Sequence, residues 1–182
     1  MEKSSVLKFS VHDVVFCAMM LAMQVVLSRF LSIQTPFVKF GFAFIPISIV
    51  GMMYGMPASI LVCALSDLIG ALLFPIGAYF PGFTLTAALM GISYGFFLKN
   101  LPAAGKCKAL CRIVAAIFIN QFILSLFLNS YWITFTSGKG FSFFIATRFV
   151  SSCTDFVLQT AVIYLLYRLR IVPLLQKHMK RA

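Results

Sequence analysis

Arg148, Ser152, Asp155 and Gln159 fall at i, i+4, i+7 and i+11 within one apolar stretch, the repeat of a single helix face. A guanidinium, a hydroxyl, a carboxylate and an amide in one row can hold a polar ligand by charge and hydrogen bonds. The preceding stretch repeats the interval with Gln121, Ser125, Asn129 and Trp132, the first places Gln24 and Ser28 one turn apart, and the third adds Ser66 and Asp67. This is the chemistry of recognition, and nothing beside it supplies turnover. There is no H-E-x-x-H, G-x-S-x-G or histidine–cysteine cluster, and the two histidines, His12 and His178, stand near the chain ends. No G-x-x-x-x-G-K-S/T is present, so ATP cannot be held by a P-loop, and any energy source has to be a separate subunit. The five cysteines lie mostly inside apolar stretches without paired spacing, so neither a disulfide framework nor a metal site is expected.

The elements that must carry these residues are membrane helices. Hydrophobic residues make up 62% of the chain and charged ones 10%, with a mean hydropathy of +1.02, which excludes an ordinary soluble domain. Spans of roughly 20 apolar residues match a hydrocarbon core about 30 Å thick. Six are read here, at about Val11–Ser28, Phe40–Tyr54, Ala58–Phe74, Phe83–Leu98, Ile113–Phe135 and Phe143–Tyr167. The reading is an all-α integral membrane protein with a single six-helix membrane domain over 1–182 and short basic tails at 1–10 and 168–182. The first span passes signal-peptide length and ends at Ser28–Arg29 without a small-residue cleavage pattern, so no cleavable signal is expected.

The net charge of +11 does not indicate nucleic acid, because the fifteen Lys and Arg sit at span ends rather than along a soluble face. Sorted by side, only Arg29, Lys39, Lys139 and Arg148 oppose the rest, which places both termini in the cytoplasm by the positive-inside rule. The loop in "FPIGAYFPGFTLTA", residues 74–87, then lies outside. It reads either as a stiff Pro/Gly connector or as an aromatic lid in which Tyr79, Phe80 and Phe83, held by Pro75 and Pro81, close on a flat ligand at small entropic cost.

Depth follows from a rise of about 1.5 Å per residue. Asp67 lies roughly 10 Å from the outer end of its span, and Asn129, Trp132 and Arg148 lie near the outer ends of theirs. The polar groups converge beneath the aromatic loop, under a cationic rim, as an outward pocket for a flat anionic ligand would require. Structural readings stand beside this one. Asp67 or Asp155 could neutralise Arg148. Asn129, Gln121, Ser125 and Gln24 could be interhelical hydrogen-bond glue. Trp132 could be an interfacial anchor. Ala87, Gly91 and Gly95 read as close packing inside the bundle, and Ala18 and Ala22, with methionines between, as a second small-residue seam.

The six spans, the A-x-x-x-A at Ala18 and Ala22 and the run "SDLIGALLFPIGAYFPGFTLTAALMGISYG" from Ser66 to Gly95 resemble the substrate-binding S components of energy-coupling factor (ECF) vitamin transporters, and among them the folate family. The resemblance implies a high-affinity vitamin-binding subunit of a prokaryotic plasma membrane that is not itself an enzyme. Its implied partners are a membrane coupling subunit (T component), met at Ala18 and Ala22, and two cytoplasmic ABC ATPases. If the ligand is folate, its chemistry laid on the residues gives the expectation of Asp67, assisted by Asn129, on the pterin donors, Tyr79, Phe80 and Trp132 stacked on the rings, and Arg29, Lys39 or Arg148 on the glutamate carboxylates. The same scaffold binding hydroxymethylpyrimidine or a queuosine precursor is an open alternative, as is a membrane assembly subunit.

Overall fold

The computed structural model describes residues 10–34, 39–75, 79–99, 101, 105–137, 141–169 and 173–175. Helix α1 (Val11–Arg29) opens where the Ser10 amide donates to the Asp13 carboxylate at 2.9 Å, which occupies one end of a carboxylate in the first turn. A short antiparallel pair follows, β1 (Ile33–Gln34) and β2 (Lys39–Phe40), with Ile33 opposite Phe40. Helix α2 (Phe44–Tyr54) is buried along most of its length and stops at Gly55, whose φ of +77° is a left-handed conformation open to glycine.

Helices α3 (Met56–Leu73) and α4 (Pro81–Leu98) each begin with a proline in the first turn, where its missing N–H costs no hydrogen bond. They pack against each other backbone to backbone. A Cβ on Gly91 would lie 2.6 Å from the Ser59 carbonyl oxygen, and one on Gly95 would lie 2.3 Å from the Met56 Cα. The glycines expected to be a close-packing seam therefore serve as one. The next span is a single rod of three parts, α5 (Lys106–Phe118), a π-helical segment (Ile119–Leu128) and α6 (Asn129–Ser137). The last helix is α7 (Phe141–Arg168).

All six expected spans are helices. Five are long and apolar enough to cross a membrane, whereas α2, at eleven residues, extends only about 16 Å. It is shorter than expected because the chain from Lys39 to Phe40 pairs as a strand before the helix starts. The fifth span begins earlier than expected, at Lys106, where its basic first turns carry exposed Cys107 and Cys111.

The bundle has two halves. Near the C-terminal end of α4, Leu98, Ile113, Ile117 and Ile163 are fully buried and form the centre of an apolar core. The half nearer Arg29, Pro81 and Phe141 is polar inside. Large apolar side chains such as Leu61, Phe96, Phe127 and Val157 point outward, as expected where the solvent is lipid. Helix α1 is the least embedded element and buries only Val25. At its lower end Tyr54 donates a 2.9 Å hydrogen bond to Asp13, fastening α1 to α2.

Candidate functional site

The polar half encloses a cavity of about 200 Å³, walled by α1, α2, α3, α4, the π segment, α6 and α7. Contacts between helices fix its levels. Its floor is marked by Tyr94 of α4, whose hydroxyl donates to Gln159 Oε1 of α7 at 3.0 Å. Arg148 lies eleven residues back along α7, roughly 16 Å toward the opposite end, and Asp155 between them. Arg29 closes α1 at that same end, its guanidinium lying over Gly70 of α3, where a Cβ would sit 2.7 Å from Nε. The cavity thus runs from an arginine end to a floor of amides.

Of the residues expected to bind, Arg29, Asp67, Asn129 and Arg148 line this space together. Arg148 is 8% exposed and its Nη1 has no hydrogen-bond partner among the described residues. Asp67 is held by Thr84, which donates to Oδ2 at 2.9 Å. The Tyr79 hydroxyl lies 3.1 Å from the same Thr84 oxygen. A threonine hydroxyl has one hydrogen, so with that hydrogen on Asp67 the tyrosine is the donor. A directed chain of hydroxyls therefore joins the loop after α3 to the carboxylate in the cavity.

The other expected aromatics are placed beside the cavity rather than in its lining. Phe80 caps α4, with its ring centroid 5.3 Å from Trp132 and 5.7 Å from Phe135. The Trp132 indole donates to Thr86 at 3.1 Å, so its N–H finds an acceptor on α4. Residues 76–78 of the loop, Lys139 and most of the two tails lie outside the described residues, as does the side chain of Lys39, whose backbone is in β2. Ala18 and Ala22 are on α1, away from the cavity and facing outward.

Among the polar residues of the cavity wall, the sequence pattern omitted Ser32, Ser151, Tyr94 and Asn120. Tyr94 reads as an ordinary apolar-span aromatic, and Asn120 lies one position off the 121–125–129 helical row. The π segment bonds i to i+5, so positions 120 and 121 both come round to the face that bears Ser125. Two adjacent amides in mid-span were the available signal. Among the described residues no group of three or more His, Cys, Asp or Glu is placed to hold a metal ion.

Residues 8–171 match the model of a family described as ECF-type riboflavin transporter, S component. The folate transporter FolT of Clostridium novyi (strain NT) is 38% identical over 154 residues, covering 85% of this chain and 87% of that protein. FolT of Leuconostoc mesenteroides subsp. mesenteroides is 29% identical over 171 residues, 91% of this chain and 89% of the relative. A crystal structure of FolT bound with folic acid superimposes with a TM-score of 0.78 at 30% identity, covering 87% of this chain and 94% of that one. A helical bundle of membrane-spanning length, with a polar chamber in its interior and likeness along nearly its whole length, belongs to the S components of ECF-type transporters, in their FolT group.

Proposed function

We propose that the chain binds folate at the outer face of a prokaryotic plasma membrane and delivers it inward with a separate membrane coupling subunit and two cytoplasmic ABC ATPases. The single observation that carries the substrate is the sorting of charge along the cavity. Arg29 and Arg148 stand at one end, Asp67 below them, and Asp155 with the amides deeper still. Folate has a matching polarity, with a donor-rich pterin at one end and two carboxylates at the other.

In this reading Asp67 accepts from the pterin N3–H and one hydrogen of its 2-amino group, a charge-assisted pair, with Asn129 beside it. The glutamate lies at the arginine end, near Arg29 and Arg148 and under Lys39. Tyr79, Phe80 and Trp132 form the roof that closes over the rings. The chain is one membrane domain over 1–182 with both termini cytoplasmic, and Ala18 and Ala22 face the coupling subunit.

A second ligand, riboflavin, is favoured by the description of the matching family model. It carries no carboxylate and would leave the arginine end unused. Calorimetric titration of the detergent-purified chain with folic acid, riboflavin, thiamin and hydroxymethylpyrimidine separates these readings. Tight binding of folic acid without any partner is the expected result. Tight binding of riboflavin with none of folic acid would overturn the substrate and keep the architecture.

A further inference from the structure

Asn120 is 3% exposed, lines the cavity, and neither its Oδ1 nor its Nδ2 has a hydrogen-bond partner among the described residues. The finding does not depend on which way the amide is turned, since both atoms are orphaned. The Tyr94 phenol gives its hydrogen to Gln159, and its oxygen meets the amide only in a loose interaction that falls short of hydrogen-bond geometry. A buried amide left in this state costs free energy that an apolar side chain of the same size would not. The local backbone is also unusual, because the π segment is what turns position 120 into the cavity beside Gln121.

An asparagine with both atoms free pairs best with an edge that offers one donor next to one acceptor, the geometry in which this side chain reads an exocyclic amine beside a ring nitrogen. We infer that Asn120 is a specificity-determining residue that reads such an edge of the ligand's heterocycle, with Oδ1 accepting from the amine and Nδ2 donating to the ring nitrogen. The inference rests on the folate reading, where that edge is the second hydrogen of the 2-amino group and N1, on the flank of the amino group away from Asp67. Both hydrogens of the amine are then used, one by a carboxylate and one by an amide. The ligand completes hydrogen bonds that the protein alone leaves open.

The test compares wild type with Asn120→Leu and Asn120→Ala. Each is titrated by calorimetry with folic acid and with its 2-desamino-2-methyl analogue, and thermal unfolding of the ligand-free proteins is followed alongside. Loss of two neutral hydrogen bonds weakens folic acid binding by roughly 30-fold in both variants. The analogue, which lacks the amine, loses much less, so the two losses are not additive. Ligand-free Asn120→Leu unfolds at a higher temperature than wild type, the reverse of what a structural amide gives. Equal losses for both ligands, or a destabilised leucine variant with folic acid affinity intact, would overturn the assignment. A wild type that binds no folic acid overturns this inference together with the folate reading, whereas unchanged affinity in the variants of a folate-binding wild type overturns this inference alone.

Discussion

At the scale of single residues, the site is built as much by what is missing as by what is present. Gly70 has no side chain where the Arg29 guanidinium lies, and a methyl group there would stand 2.7 Å from Nε and 3.1 Å from Nη2. Arginine is the far end of a flexible chain, so Gly70→Ala should move it rather than unfold α3. The expected outcome is a normal thermal transition with folic acid affinity weakened by roughly 1.5–3 kcal/mol, the worth of a hydrogen bond to a charged group, read by calorimetry. Unchanged affinity would remove Arg29 from the site. Little of this was legible beforehand. Arg29, Asp67, Asn129 and Arg148 could be found because a charge or amide in an apolar span is conspicuous. The seat that Gly70 provides is a relation between two helices distant in sequence, and no local pattern encodes it. The partner of Trp132 was hidden for the same reason, since the helical row ends on it while its N–H belongs to Thr86 on α4.

At the scale of elements, helix boundaries were legible wherever apolar length and a Pro or Gly stop coincided, as at Gly55 and Pro57, whereas Pro81 and Phe83, read as part of the loop, form the first turn of α4. The π segment was not legible. Its composition, "INQFILSLFL", suits an α-helix equally well. The α3–α4 seam was legible from its small residues, and it carries a firm prediction. A side chain on Gly95 meets the backbone of Met56, which cannot rotate aside. Gly95→Ala should destabilise the protein by roughly 1–3 kcal/mol through overpacking. The check is the midpoint of thermal unfolding in detergent, and a midpoint equal to that of wild type would show that the two helices separate freely.

At the scale of the whole molecule, α1 stands apart from the rest of the bundle. It buries a single residue, is fastened at its foot by Tyr54 on Asp13, and has its Arg29 end resting against α3. Ala18 and Ala22 face outward, each followed by an exposed methionine, Met19 and Met23. A small-residue groove flanked by methionines suits a helix of a membrane partner. Ala18→Trp should therefore leave folic acid affinity as in wild type and abolish ATP-driven uptake into vesicles reconstituted with the coupling subunit and ATPases. Uptake at the wild-type rate would place the partner elsewhere.

The division of the bundle into an apolar half and a chambered half reaches beyond folding. Leu98, Ile113, Ile117 and Ile163 hold the helices together at a distance from Asp67 and Arg148. Phe44, Ile47, Cys63 and Tyr94 belong to both the core and the cavity wall, so substitutions beside them should couple, whereas substitutions at the arginine end and at Leu98 or Ile163 should add with little interaction. Such a scaffold has evolutionary latitude. The chamber can be rewritten for a new heterocycle, one polar side chain at a time, while the half that assembles the protein stays as it is.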